Sequence, residues 1–233
     1  MLNAAQIAKM IDHSLLRPEL TTEQVRQGCL VAKQYDTASV CVKPCDVALA
    51  KEVLAGSDVL VTTVIGFPHG SNLTAVKVFE SEQAIRDGAV ELDMVLNIGR
   101  LLSGDFAAVA ADIQAVVATA HQQQVIVKVI LENCYLTDEL KVKACQICEQ
   151  VGADFVKTST GFGTGGATIE DLTLMRRTCS AKVRVKAAGG VRTLDSALQV
   201  RKAGAVRFGA TATAVIMEDA YAREKAGELK ELE

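Results

Sequence analysis

The chain has 233 residues, of which 49% are hydrophobic and 23% charged, and its formal net charge at pH 7 is −3. This length fits one large α/β domain or two small domains, since α/β barrels often run to about 250 residues as a single unit. The slight acidity and the scattered lysines and arginines provide no basic surface for nucleic acid or for an anionic membrane. No apolar run reaches the roughly 18 to 20 residues of a membrane helix, and residues 1–10 lack the layout of a secretory signal. We therefore expect a cytoplasmic protein that acts on a small molecule.

The chain contains seven cysteines. This is an odd number in a chain long enough to build its own core, so a disulfide framework is not expected. Cys145 and Cys148 form a C-x-x-C pair, but they lie in a helical pattern without a second ligand pair at zinc spacing. We expect reduced cysteines, a helix-packing role for this pair and no metal site.

Short β-branched runs alternate with helical patterns along the chain, which predicts repeated βα units around a parallel sheet. The predicted strands are Ile11–Leu15, Thr37–Val42, Leu60–Gly66, Val90–Leu96, Val125–Glu132, Asp154–Thr160, Val183–Ala188 and Val206–Ala210. The predicted helices include Thr21–Tyr35, Leu73–Asp87, Asp105–His121, Thr137–Gln150 and Thr168–Arg177. Because no linker-like stretch interrupts the pattern, we expect a single domain over residues 1–233, a closed (β/α)8 TIM barrel. An open doubly wound sheet is the alternative architecture.

Side chains in a barrel strand alternate between the barrel axis and the surrounding helices. In Val125–Glu132 the purely apolar alternate set must face the helices, so Lys128 faces the interior. The same test places further residues inside the barrel: Lys157, Lys186, Asp93 and Cys41. One interpretation is that these charged residues pair with one another and serve only to hold the fold together. Crowded lysines favour chemistry instead, because burial and like charge lower a lysine pKa. A neutral amine is the nucleophile that Schiff-base formation requires.

Three consecutive predicted strands run into glycine-rich loops, at Thr158–Gly166, Ala188–Arg192 and Gly209–Thr211. Glycines let backbone N–H groups approach an anion, and a following helix N-terminus adds its dipole. The last two loops are therefore the expected phosphate site of a barrel, and tight turns without a ligand are the alternative.

The sequence Gly161-x-Gly163-x-x-Gly166 also fits the dinucleotide-binding pattern. It lies in the sixth βα unit rather than the first, and the next predicted strand ends in Ala187–Gly189 with no acidic residue to hold a ribose. A nicotinamide-dependent dehydrogenase is therefore disfavoured.

Several specific motifs follow one another along nearly the whole chain: Ile11–Leu16, Ser39–Val42, Val64–Pro68, Glu91–Val95, Lys128–Glu132, Asp154–Phe162 and Val185–Gly190. In this order they resemble the deoxyribose-phosphate aldolase family. The resemblance implies a class I aldolase on a (β/α)8 barrel, with no metal or organic cofactor. It implies reversible cleavage of 2-deoxy-D-ribose 5-phosphate to acetaldehyde and D-glyceraldehyde 3-phosphate in deoxyribose phosphate catabolism. Its partners would be this phosphorylated sugar, the aldehydes and further copies of the chain in a homodimer or homotetramer.

The same resemblance implies roles for individual residues. Lys157 matches the Schiff-base lysine, Lys186 the neighbour that lowers its pKa, and Asp93 the acid/base that works through a water. Residues expected to bind substrate or to border it are Lys128, Cys41, Thr158, Gly161, Gly189, Gly190, Gly209 and Thr211. Cys41 matches a cysteine at the mouth of the site that chemistry does not require.

The chain departs from the family pattern at two places. Relatives often carry two small hydroxyl residues after the glycine of the eighth strand, whereas Thr211 is followed here by Ala212. Some relatives end in a flexible tail with a terminal tyrosine, whereas the last tyrosine here is Tyr221, which we expect in the final helix. These departures bear on phosphate contacts and on rate rather than on reaction type.

Two other functions fit parts of the pattern. Another phosphate-binding barrel enzyme, such as an isomerase or a different aldolase, could use the same scaffold. A sugar-phosphate sensor could keep the pocket without turnover. The inward lysine pair argues against a simple isomerase, and the intact set of Asp93, Lys157 and Lys186 argues against a sensor.

Overall fold

The computed structural model describes residues 2–232. Eight parallel strands form a closed barrel in chain order, and the last strand pairs with the first. The strands are β1 Ile11–Leu15, β2 Ser39–Val42, β3 Leu60–Ile65, β4 Glu91–Val95, β5 Ile126–Ile130, β6 Phe155–Lys157, β7 Arg184–Ala187 and β8 Arg207–Ala210. The predicted (β/α)8 TIM barrel is confirmed. An open sheet is excluded, because the pairing of β8 with β1 leaves no free edge.

Helices connect the strands on the outside of the barrel. Within residues 2–232 they are α1 Ala4–Ala8, α2 Thr22–Gln34, α3 Val47–Val53, α4 Thr74–Asp87, α5 Ile98–Leu102, α6 Phe106–His121, α7 Asp138–Gln150, α8 Ile169–Thr178, α9 Leu194–Lys202 and α10 Thr213–Ala226. No helix in this part of the chain combines the length and the apolar character that a bilayer-spanning segment needs. Tyr221 lies in α10, as expected.

The five predicted helices agree with α2, α4, α6, α7 and α8 to within one residue at each end. Four of them begin where a side-chain oxygen accepts a hydrogen bond from a backbone N–H of the first turn: Thr21, Asp105, Thr137 and Thr168. Such a cap satisfies one of the N–H groups that have no partner within the helix. The sequence signal for these helix starts therefore has a direct physical cause.

Several predicted strands extend beyond the observed ones, most clearly at β6. The prediction continued to Thr160, whereas the strand ends at Lys157. The Thr160 N–H donates to the side chain of Glu132 at 3.1 Å instead of to a neighbouring strand. A carboxylate thus takes the place of a backbone acceptor, which periodicity alone does not reveal.

The outward side chains of the strands form an apolar layer against the helices. Leu92, Met94, Val127, Val129 and Val185 are all fully buried in this core. The alternate positions of the same strands carry charge inside the barrel, where Asp93 and Lys128 are also fully buried. Since a dry layer surrounds the barrel, the interior charges have to be satisfied by one another.

Gly70 provides a test of packing at the end of the barrel that carries the loops. Its φ is 68°, and a Cβ at this position would lie 1.9 Å from the carbonyl oxygen of Leu96. Gly56 has a similar φ of 73°, and a Cβ added there would meet nothing within 4 Å. Both alanine variants should lose about 1 kcal/mol to left-handed strain. Gly70→Ala should lose a further ~1 to 3 kcal/mol, because its methyl group meets backbone that cannot move aside.

The free energies of unfolding of the two variants, measured by urea denaturation, isolate this contact. Gly56→Ala is the matched control, because it carries the strain without the clash. Equal losses in the two variants would mean that the loop after β3 moves freely away from Leu96.

Candidate active site

Charged side chains from six strands meet along the barrel axis. The acids are Asp12, Glu91 and Asp93, and the bases are Lys128, Lys157, Lys186 and Arg207. All except Arg207 are at most 3% exposed. Their strands bring them together through the register, which places Lys128 beside Asp93 and Lys186 beside Lys157.

Asp93 is the centre of this cluster. Its Oδ1 accepts a hydrogen bond from Lys128 Nζ at 2.9 Å, and its Oδ2 accepts from Lys157 at 2.8 Å and from Lys186 at 2.6 Å. Burial alone would raise the pKa of the Asp93 carboxyl, but the three lysines outweigh it and hold that pKa well below its usual range. Asp93 is therefore a fixed negative charge in the resting protein.

Asp12 and Glu91 hold the other cations. Arg207 Nε donates to Asp12 at 2.7 Å, and Lys186 pairs with Asp12 as well. Glu91 Oε2 accepts from Lys128 at 2.5 Å and from Arg207 at 3.0 Å. Sequence reasoning assigned no role to Glu91, and it also missed Asp12 and Arg207. Alternation within β1 and β8 is the signal that could have found these two residues.

The charges in the barrel do not balance. Three carboxylates face four basic groups, so one positive charge is in excess when all seven groups are ionised. Burial lowers the pKa of Lys128 and Lys186, but their carboxylate neighbours outweigh it and raise both values above the ordinary lysine pKa. Among residues 2–232, Lys157 pairs with Asp93 alone, and it shares that partner with both other lysines.

Lys157 consequently differs from its neighbours. Burial lowers the pKa of its amine, and the like charge of Lys186 lowers it further, against the opposing effect of Asp93. The net direction is below the ordinary lysine value. Of the four basic groups, Lys157 is therefore the one that loses its proton most easily.

A cavity of about 480 Å³ opens over Lys157 at the carboxyl ends of the strands. Six of the residues expected in the site line it: Lys157, Gly161, Gly189, Gly190, Gly209 and Thr211. Other lining residues had no individually predicted role, notably Ser14, Arg17, Thr160, Phe162 and Arg192. Most of these follow the ends of β1, β6 and β7, where a barrel keeps its variable loops. The amine of Lys157 and the glycine-rich loops therefore share one space.

Five expected residues do not line this cavity. Asp93, Lys128 and Lys186 lie behind Lys157 in the charge cluster. The hydroxyl of Thr158 accepts from Ala188 N at 3.0 Å, so it ties β6 to the loop after β7. Cys41 is 1% exposed rather than at the mouth, and burial, followed by the nearby Asp93 charge, raises the pKa of its thiol to about 11.

The two glycine-rich loops after β6 and β7 touch each other. A Cβ at Gly189, where φ is 81°, would lie 2.9 Å from the Cα of Gly166. Helix α10 begins directly after the loop of β8, and its first turn has no side-chain cap within the described part of the chain. Thr211, which lines the cavity, lies two residues before the start of this helix at Thr213.

Comparisons with known proteins agree with this geometry. Residues 6–214 match the model of a family described as DeoC/LacD family aldolase. The chain belongs to the DeoC/LacD family of aldolases. Deoxyribose-phosphate aldolase from Thermoanaerobacter sp. (strain X514) is 54% identical over 214 residues, covering 91% of this chain and 96% of the relative. The enzyme of that name from Thermococcus gammatolerans is 53% identical over 216 residues, covering 92% and 96%. The structure of the tetrameric deoxyribose phosphate aldolase from Aeropyrum pernix superimposes with a TM-score of 0.87 at 30% identity, covering 93% of this chain and 92% of that one.

In this aldolase family member, the replacement Lys186→Leu tests the charge balance. Removing Lys186 removes a like charge and leaves Asp93 with one competitor fewer, so the pKa of Lys157 should rise. Activity that needs a free amine is lost as the pH falls through that pKa. In the variant, we therefore expect the remaining aldolase activity to begin falling at a higher pH than in the wild type when the pH is lowered.

The measurement is a pH–rate profile of kcat/KM, with the exposed Lys182→Leu as a matched control that should leave the profile unchanged. Full activity of Lys186→Leu with an unmoved low-pH limb would show that Lys186 does not influence the amine.

Proposed function

We propose that the chain is a class I aldolase that reversibly cleaves 2-deoxy-D-ribose 5-phosphate to acetaldehyde and D-glyceraldehyde 3-phosphate, in the breakdown of deoxyribose phosphate. The observation that carries this proposal is the position of Lys157. It is the cluster lysine whose pKa is lowered, and it lines the cavity that the glycine-rich loops also line. The curated relatives described above carry the name of this activity.

The chemistry follows from a free amine in a partly dry site. The amine of Lys157 adds to the C1 aldehyde of the open-chain sugar, and loss of water gives an iminium ion. The C2–C3 bond then breaks as the C3 hydroxyl loses its proton, which releases glyceraldehyde 3-phosphate and leaves an enamine on Lys157. Protonation of the enamine at C2 and hydrolysis return acetaldehyde and the free amine. No step requires a metal or an organic cofactor.

Asp93 is the proposed proton acceptor and donor for these steps. It is fully buried behind Lys157, so a water molecule has to carry the proton between its carboxylate and the substrate. Its lysine partners hold its pKa low in the resting protein. Lys128 and Lys186 keep Asp93 in place throughout.

The phosphate group is proposed to bind where the loop after β7 and the end of β8 line the cavity. Gly189, Gly190 and Gly209 bring backbone close to this space, and Arg192 contributes a positive charge. The uncapped first turn of α10 adds N–H donors and the helix dipole. Backbone donors can therefore bind the phosphate even though Ala212 replaces a second hydroxyl residue.

We also propose that the chain forms a single domain, assembles into a homodimer or homotetramer and works in the cytoplasm. The family match runs without a break from residue 6 to residue 214, which supports a single domain over the chain. The aldolase from Aeropyrum pernix is tetrameric, and large apolar side chains such as Leu73 and Phe79 are 76% and 64% exposed here, which supports a homodimer or homotetramer. Seven cysteines without a disulfide fit the reducing cytoplasm.

A coupled assay for acetaldehyde release tests the proposal. The enzyme should cleave 2-deoxyribose 5-phosphate, and its kcat/KM for free 2-deoxyribose should be lower by about 100-fold or more, because charge-assisted hydrogen bonds to the phosphate position the reacting carbons. Lys157→Ala should abolish release, whereas the exposed Lys182→Ala should not alter it.

Two results would contradict the proposal in different ways. Equal kcat/KM for the two sugars would remove the phosphate site. Sustained acetaldehyde release by Lys157→Ala would remove the Schiff base.

A further inference from the structure

Glu132 is a buried acid next to the cavity that takes no part in the charge cluster. It follows β5 with a φ of 56° and is 2% exposed. Residues other than glycine rarely adopt this left-handed conformation, and they do so where the surrounding structure fixes them. Backbone bonds fix it here on both sides, from Leu131 N to Lys157 O at 2.9 Å and from Asn133 N to Thr158 O at 3.0 Å.

The Glu132 carboxylate binds Thr160 twice. Oε1 accepts from Thr160 N at 3.1 Å, and Oε2 accepts from the Thr160 hydroxyl. Glu132 takes part in none of the ion pairs within residues 2–232, so no lysine, arginine or histidine nitrogen in that part of the chain lies within 4.0 Å of its carboxylate. Thr160 itself lines the cavity together with Lys157. The acid thus acts on the site through one threonine.

A second contact fixes the orientation of the hydroxyl group. Phe162 N donates to Thr160 Oγ1 at 3.0 Å. A hydroxyl oxygen has one hydrogen and two lone pairs. Its hydrogen is donated to Glu132 Oε2, and one lone pair receives the Phe162 N–H. One lone pair is left for a ligand in the cavity.

The loop that carries Thr160 packs tightly on the same acid. A Cβ at Gly163 would lie 3.1 Å from Glu132 Cδ and 2.9 Å from Cys134 Sγ. The loop is therefore closely packed against the segment that follows β5, which supports a fixed place for the Thr160 hydroxyl as well as a fixed orientation.

We propose that Glu132 is a positioning residue that fixes Thr160 Oγ1 as a hydrogen-bond acceptor for a hydroxyl group of the substrate. This inference rests on the proposed function, in which the open-chain sugar carries such hydroxyl groups and acetaldehyde carries none. The pair then favours hydroxylated substrates over simple aldehydes without touching the chemistry at Lys157.

Glu132→Gln separates hydrogen-bond polarity from geometry. The glutamine oxygen can still accept from Thr160 N, but its NH₂ group then has to donate to Oγ1. Together with the Phe162 N–H this fills both lone pairs, and the hydrogen of Thr160 turns toward the cavity. We expect kcat/KM for 2-deoxyribose 5-phosphate to fall about tenfold, since one hydrogen bond to the substrate is lost or inverted.

Reductive trapping of acetaldehyde on the enzyme with borohydride is the second readout. Its rate should equal that of the wild type in Glu132→Gln, because acetaldehyde has no hydroxyl group to place. Thr160→Ser keeps the hydroxyl and should retain cleavage close to the wild-type value. Glu82→Gln, at an exposed glutamate of α4, is the matched control and should change neither readout.

Each outcome decides the assignment. A loss of sugar-phosphate cleavage with unchanged trapping supports it. An equal loss in both readouts would show that Glu132 only maintains the loop, and an unchanged Glu132→Gln enzyme would show that the polarity of Thr160 does not matter. Either of these results overturns the role of Glu132 and leaves the proposed function standing. Absence of cleavage by the wild-type enzyme overturns the proposed function and the role of Glu132 together.

Discussion

Asp93 accepts hydrogen bonds from three lysines at once, and the rest of the site depends on this arrangement. A buried carboxylate is stable only when cations surround it, and buried lysines are stable only when they have carboxylates. The cluster supplies enough carboxylates for all but one of its basic groups. The deficit falls on Lys157, which has the fewest partners and also lines the cavity. The lowered pKa of Lys157 is thus a consequence of the charge balance in the whole barrel interior rather than a property of one residue.

The barrel makes this balance possible. Parallel strands in register bring Asp93 beside Lys128 and Lys157 beside Lys186, so residues far apart in the sequence lie on adjacent strands. The outward apolar side chains exclude water from behind the cluster, which strengthens the ion pairs and increases the cost of breaking them. Removing one cation changes the pKa of the others. The lysines and acids of the interior therefore have to be treated as one titrating system.

Sequence periodicity revealed which side chains face the barrel axis, but not how deep they lie. Alternation correctly assigned Asp93, Lys128 and Lys157 to the interior. The depth of a residue depends on the stagger between neighbouring strands, which a single sequence does not specify. The family resemblance led us to expect Lys128 and Cys41 beside the substrate, whereas both are buried and neither lines the cavity. Helix starts were predictable because a capping side chain and the first turn are close in sequence, as at Thr21 and Thr168. The contacts of Glu132 could not be found in this way, because long-range bonds from a side chain to the backbone leave no periodic signal.

The most direct test of the charge balance is the identity of the lysine that reacts with acetaldehyde near pH 7. Exposed lysines are almost wholly protonated there, since their pKa is about 10.4, whereas a lysine with a lowered pKa has more free amine. Borohydride reduction should fix an ethyl group, a gain of about 28 Da, on the peptide that carries Lys157. Lys128 and Lys186 should stay unmodified, because their carboxylate partners keep them charged. Label on Lys128 or Lys186, or label spread over the exposed lysines, would contradict the assignment of the surplus proton to Lys157.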